Sequence, residues 1–349
     1  MAGAEEPPIR DDGLNVIYDN GKNAKYDIIF VHGLRGHPRR TWEAVNPSDP
    51  AEKVFWPKDL LPTTFPESRI FSFGYLSEFV TFYPSLAPIT HTSIDNISTT
   101  LIERLDTKRR ATHTEQRPLF FIAHSLGGLV CANALSQRYS PNFAGREVVA
   151  HTRGVIFLGT PFQGSSKVTW AKTAERLCRL VADSNDQIIR DLDRKSDILK
   201  KIGTDFLIFV RDRYVTRNEY LLQVACFFET KSTKIKIKGI KTDLGHIVTE
   251  DSATLANYKP IAINADHRTM CHFPDCETTG YIDVTGKLKQ MIANMDKGVY
   301  SLKEAGRSIT VSDTYFGENF HNYGIATGNI IGTTPNANNL TVSPTSCGG

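Results

Sequence analysis

No apolar run in this 349-residue sequence approaches the roughly 20 residues that a membrane-spanning helix needs, so none is expected. The stretch from Met1 to Arg10 has acids and prolines but no apolar core, and it is not expected to act as a secretory leader. An excess of either charge is also missing. The net charge of +3 is too near neutral to argue for a nucleic-acid partner or for a membrane. One basic cluster, Lys108-Arg109-Arg110, falls between an expected helix and an expected strand and reads as a solvated loop. Cysteine is sparse. The six are scattered and, without a leader, are expected to be reduced in the cytoplasm. Cys271-His272 and Cys276 lack a second ligand pair at zinc spacing, so neither metal nor cofactor is expected. What remains is ordinary globular composition, 40% hydrophobic and 23% charged, enough for a sizeable core.

The chain is organised around Leu119–Val130. Leu119-Phe120-Phe121-Ile122-Ala123 is apolar, His124-Ser125-Leu126-Gly127-Gly128 is a turn with one serine and two glycines, and Leu129, Val130, Ala132, Ala134 and Leu135 continue with helical spacing. That pattern reads as buried strand, sharp corner and helix. A serine at such a corner stands above the sheet edge, beside helix N–H groups that favour developing negative charge. The pentapeptide follows G-x-S-x-G with alanine, Ala123, at its first position.

Around this corner the elements alternate. Strands are expected at Gly13–Tyr18, Tyr26–Val31, Arg69–Phe73, Gly154–Leu158 and Gln223–Phe228, with a short one at Gly245–Val248. Helices are expected near Ser93–Leu105 and Val284–Met295. Strand-helix alternation implies an α/β fold, a mainly parallel sheet covered by helices on both faces. Between Gln163 and Lys201 two apolar stripes recur with helical spacing. They read either as a cap over the site, drawn over about 163–222, or as helices packed on the sheet.

A serine hydroxyl needs an imidazole to take its proton, and the imidazole needs a carboxylate. In an α/β-hydrolase chain the order is serine, acid, histidine. His267 follows the last expected strand at loop distance and is preferred to His246 and His272. Glu229 ends the penultimate strand and fills the acid slot, with Asp243 and Asp251 as alternatives. The turn His32-Gly33-Leu34 after a central strand offers the Leu34 N–H as an oxyanion donor, paired with the N–H of Leu126. His124 reads as a structural hydrogen-bonder.

Several spaced segments agree in order: Phe30-Val31-His32-Gly33-Leu34 with Arg40-Thr41-Trp42, Phe55 through Pro62, Phe121 through Val130, Phe157-Leu158-Gly159-Thr160-Pro161 and Asp266-His267-Arg268. Together they resemble the lipase/esterase domains related to the SERAC and PGAP lipases, over roughly Tyr26 to Met295. The resemblance implies the α/β-hydrolase fold, activity on carboxylic, notably lipid, esters, and Ser125, Glu229 and His267 as the triad. The chain departs from it at Phe162-Gln163, where relatives tend to carry His-Arg, a change expected at the pocket rim.

Beyond Lys297 the apolar periodicity fades. Tyr315–Gly332 has no proline and almost no charge, with spaced aromatic and β-branched residues among repeated Asn and Gly. Those are features of a segment able to stack as cross-β, with Asn319, Asn322, Gly324, Ile325, Gly328 and Asn329 at its centre. A flexible tail has similar composition. A lipase-like domain with such a tail is similar to the fungal SesB-type proteins, which pair an esterase with a C-terminal amyloid signalling motif. That resemblance implies templating by a NOD-like receptor, fibril assembly through the tail and a role in cell death. The expected organisation is residues 1–12 as a flexible start, 13–297 as the hydrolase, 298–314 as a linker, 315–335 as the amyloid-prone motif and 336–349 as a disordered end. Expected partners are an ester or phospholipid substrate, the receptor and further copies through the tail. Nucleic acid is not expected, and peripheral membrane contact is left open. A hydrolase-fold adaptor, weak or inactive in catalysis, is the alternative.

Overall fold

The computed structural model describes residues 8–75, 94–137, 145–162, 173, 175–177, 179–180, 192–215, 221–237, 240–255 and 258–296. The chain divides into two units, Met1–Ile309 and Thr310–Gly349, and every described residue lies in the first. The expected linker, the amyloid-prone motif with Asn319, Asn322, Gly324, Ile325, Gly328 and Asn329, and the stretch 163–172 of the expected cap lie outside the described residues.

In chain order the strands are β1 (Gly13–Asp19), β2 (Tyr26–Val31), β3 (Glu43–Val45), β4 (Lys53–Phe55), β5 (Ser68–Gly74), β6 (Leu119–His124), β7 (Thr152–Leu158), β8 (Gln223–Glu229), β9 (Lys234–Ile237), β10 (Ile240–Asp243) and β11 (Ile261–Ile263). The helices are α1 (Trp56–Asp59), α2 (Leu61–Thr64), α3 (Ile94–Ala111), α4 (Leu126–Ser136), α5 (Arg146–His151), α6 (Leu192–Val215), α7 (Glu250–Ala253) and α8 (Thr279–Asp296). Seven strands form one sheet in the order β1-β5-β2-β6-β7-β8-β11. Only β1 runs antiparallel, at the edge, where all its residues but Gly13 are partly or fully exposed. The others pair in parallel, and β2, β5, β6 and β7 are buried along their whole length. This strand order, with a serine corner between β6 and α4, is the α/β-hydrolase fold.

Two apolar layers sandwich the sheet. On one face α3, α4, α5 and α6 meet Ile29, Phe121, Val155 and Phe157. On the other, Trp42, Trp56 and α8 cover Phe30, Phe120, Ile122 and Ile156. Trp56 is wedged edge-on against Phe30 at 5.0 Å, and its indole N–H donates to Cys271 O at 2.9 Å. The motif around Trp56-Pro57 therefore packs rather than reacts. α6 lies within the range expected for a cap, yet its Phe206, Phe209 and Val210 are buried in the sheet-side core. From Ile202 to Val210 it packs as a layer helix. Phe162, expected at the pocket rim, is fully buried edge-on against Phe157 at 4.7 Å. A large apolar ring gains more from that core than from the rim.

Other expectations need correction. Gly245–Val248 is a loop, and the last strand is Ile261–Ile263, too short to stand out as a period. Lys108-Arg109-Arg110 closes α3 instead of forming a loop, and Arg109 is fully buried. It joins Arg69, whose Nε and Nη2 both donate to Asp27 at 2.9 Å, and Arg117 at 3.3 Å, around one fully buried carboxylate. Asp27 and Arg69 face each other in the β2–β5 register, so the network ties α3 to the sheet at the end away from the serine.

Removing that carboxylate strands two buried guanidinium groups. Asp27→Ala is expected to lower stability by about 3–5 kcal/mol, read from urea unfolding followed by circular dichroism. A loss below about 1 kcal/mol would show that the arginines reach water without it.

Candidate active site

The corner at Ser125 is forced by close packing. A Cβ on Gly127 would collide with the carbonyl oxygens of Val31 and His32, and one on Gly128 with Thr160. Two glycines let α4 lie directly against β2 and the end of β7. The chain can then turn from β6 into α4 only through a left-handed residue, and Ser125 adopts φ 51° and ψ −123°. For a residue with a side chain this is a strained conformation, of order 1–3 kcal/mol. It is held by the Ser125 N–H donating to Leu158 O at 2.9 Å. Leu126 begins the first turn of α4, where no intrahelical carbonyl reaches its N–H.

Ser125 Oγ lies 2.9 Å from His267 Nε2, and His267 Nδ1 lies 3.3 Å from Glu229 Oε2. All three residues are buried. With the Nδ1 proton facing the carboxylate, Nε2 carries the lone pair that accepts the Ser125 O–H. The other carboxylate oxygen, Glu229 Oε1, accepts the Val248 N–H at 2.6 Å. The alternative acids lie elsewhere. Asp243 is exposed and accepts from Gly245 N and Ser232 Oγ, a pairing led by the Gly245 N–H that lowers its pKa. Asp251 is exposed in the first turn of α7. His246 Nε2 is bonded to Thr230 O, and His272 is part-buried, its pKa lowered by burial.

The imidazole is fixed by groups that no motif signals. His267 N–H donates to Thr233 Oγ1 at 3.2 Å, and His267 O accepts from His124 Nε2 at 2.8 Å. Gly159, at φ 57°, lies against the ring, and a Cβ there would come within 3.0 Å of Nδ1. Thr233 and Val248 sit on a loop without period, so sequence pattern could not have found them. Gly159 lies within Phe157-Leu158-Gly159-Thr160-Pro161, but its role appears only in three dimensions. His124 is a hydrogen-bonder in this arrangement. Burial, and then the neighbouring His267, holds its pKa well below the ordinary value.

The turn after β2 is equally determined. His32 stacks on Tyr75 at 4.3 Å, its Nδ1 donates to Gly33 O at 2.9 Å and its Nε2 faces Tyr75 N at 3.4 Å. Gly33 O also accepts from Gly36 N at 3.0 Å. No peptide here is cis, so pinning the Gly33 carbonyl turns the Leu34 N–H to the opposite side of the same plane. Gly33 itself abuts Ser125, where a Cβ would come within 2.8 Å of the serine Cβ.

No family model matches the chain. It is 30% identical over 276 residues to Protein SERAC1 of Bos taurus and 30% identical over 274 residues to that of Homo sapiens. Each alignment takes in 74% of this chain and 38% of the relative, so the chain spans well under half the length of these curated proteins. Among solved structures it is similar to Bacillus licheniformis lipase BlEst2 in mature form, with TM-score 0.46 and 16% identity over 80% of this chain and 97% of that one.

Burial depresses the His32 pKa to about 4, while the unfolded chain keeps the ordinary 6.5. Between those values the unfolded state binds a proton that the folded state refuses, so stability falls as pH drops from 6.5 toward 4. His124 acts in the same direction. The His32 contribution alone is on the order of 3 kcal/mol once pH reaches the folded value. Urea midpoints measured across that window should fall for the wild type and fall less steeply for His32→Gln. Equal slopes would mean that His32 titrates normally.

Proposed function

We propose that the chain is a serine hydrolase of carboxylic esters, with lipid esters as the substrate class. The observation that carries this is the buried relay Ser125–His267–Glu229, with the serine held in a strained corner at a helix N-terminus. Ser125 Oγ attacks the ester carbonyl while His267 Nε2 takes its proton. Glu229 stabilises the imidazolium across Nδ1. The tetrahedral oxyanion rests on the N–H groups of Leu34 and Leu126. His267 then protonates the departing alkoxide, and the acyl group remains on Ser125. A water gives a proton to His267 and its oxygen to the acyl carbon, the carboxylic acid leaves, and Ser125 regains its hydrogen. Lipid is the substrate class that the resemblance to SERAC and PGAP lipases implies.

The tail supplies the switch in this reading. Tyr315–Gly332 stacks with copies of itself or with a matching segment of a NOD-like receptor in the cytoplasm. Stacking raises the local concentration of the attached hydrolases without any new contact between them. The support is composition and the resemblance to SesB-type proteins. A synthetic peptide spanning Tyr315–Gly332 is expected to form fibrils with a cross-β reflection near 4.7 Å. A peptide that stays monomeric would remove the switch and leave the hydrolase.

Catalysis is tested on a short-chain water-soluble ester. Ser125→Ala should lose about a thousandfold or more in kcat, and a fluorophosphonate should label the wild type but not the variant. A wild type that resists the label and is no faster than Ser125→Ala would indicate a non-catalytic adaptor.

A further inference from the structure

Between Glu229, which ends β8, and Val248, which bonds back to the Glu229 carboxylate, the chain makes a long excursion. It forms the hairpin β9–β10, a two-stranded sheet separate from the main one. The hairpin is closed at its root, where the Leu244 N–H donates to Thr233 O and the Thr233 N–H donates to Gly245 O, each at 2.9 Å. The same Thr233 holds the His267 N–H. The hairpin thus stands directly on the relay, although the relay needs only its root.

Its two sides differ. In register, Lys234 faces Asp243 and Lys236 faces Lys241 on one side, with Ile235–Thr242 and Ile237–Ile240 on the other. Lys236 and Lys241 are both exposed and directly opposite, an arrangement that repels. Among the described residues neither has a carboxylate partner. Toward the root, Ile235 packs against the Leu244–Val248 cluster. Toward the tip, Ile240 is 70% exposed, more than any other large apolar side chain among the described residues. Composition hides how concentrated this is. Residues 231–243 hold five lysines and one aspartate, +4, against +3 for the whole chain, so the remainder sums to −1.

We propose that this hairpin docks the protein on an anionic lipid surface, with Ile240 at the headgroup boundary and Lys236 and Lys241 on the phosphates. An isolated hairpin with a repelling lysine pair and an exposed isoleucine is poorly matched to water. At an anionic interface the lysines gain counter-charges and the isoleucine loses its exposure. An acidic protein would answer the lysines but leaves Ile240 without a role. The inference rests on the lipid-ester reading of the site, since a lipid surface is where such a substrate is met.

The test is sedimentation of the full chain with vesicles of phosphatidylcholine alone or mixed equally with phosphatidylglycerol. The wild type should sediment with the mixed vesicles, not the neutral ones, and lose binding as salt rises. Lys236→Glu/Lys241→Glu should weaken that partition by about tenfold or more, and Ile240→Asp should weaken it as well. Both should hydrolyse the soluble ester like the wild type, which shows that they fold. Ser125→Ala should sediment like the wild type, whereas a wild type that sediments but does not hydrolyse the soluble ester would sustain docking while overturning the catalytic reading. Unchanged sedimentation of the lysine variant, or equal binding to neutral vesicles, would overturn the docking proposal. So would failure of the wild type to sediment with the mixed vesicles, which would favour an acidic protein partner.

Discussion

The close approach of α4 to β2 governs the site. It exists because Gly127 and Gly128 present no Cβ to the carbonyls of Val31 and His32 or to Thr160. A helix set this near the sheet leaves no length for a relaxed turn, so Ser125 takes up the bend at positive φ. The strain has an outlet in packing: Leu126, Leu129 and Val130 go directly into the sheet-side core, where apolar burial of that size exceeds a backbone cost of 1–3 kcal/mol. The position of Ser125 is thus a consequence of core geometry, and the first N–H groups of α4 arrive beside it for the same reason.

From that fixed point the relay is assembled by backbone more than by side-chain packing. His267 is held at its N–H by Thr233, at its C=O by His124 and at its ring face by Gly159. His124 donates from Nε2, and burial next to a second imidazole favours its neutral form. His32 does the equivalent task for the oxyanion turn by holding the Gly33 carbonyl. Two buried histidines with depressed pKa values therefore hold the scaffold, and His267 is left to hold the serine proton. The Asp27 network, at the far end of β2, fixes the same strand from its other terminus.

The central strands were legible because burial on both faces gives unbroken apolar runs, as in Tyr26–Val31 and Leu119–Ala123. The serine corner was legible because glycines are needed wherever a helix crosses a strand so closely. The positions of His267 and Glu229 followed from chain order. Other parts were hidden for physical reasons. Arg109 looks like solvated charge in a basic run, and only the fold brings Asp27 to it. Ile261–Ile263 is three residues long and has no period. The hairpin alternates lysine and isoleucine, which mimics a strand pattern, but its meaning depends on standing outside the main sheet. Phe162 read as a rim residue because it stands where relatives tend to carry His-Arg, while its neighbours in space are Phe157 and Phe206.

The one departure within the serine motif, alanine at position 123, can be weighed on geometry. In that motif the first small residue lies under the corner. Ala123 continues both parallel ladders, opposite Val31 and Phe157, with no irregularity at that point. Its methyl group is fully buried in the core shared with α4. The tight contacts are at Gly127 and Gly128, one turn further on, where an added Cβ would strike backbone or a buried threonine. A methyl group at 123 therefore costs the corner nothing in space and adds a small apolar contact. The packing around Ala123 therefore lends the adaptor alternative no support. The proposed hydrolase reading rests instead on Ser125 Oγ lying within proton-transfer reach of His267 Nε2, with Glu229 Oε2 facing His267 Nδ1.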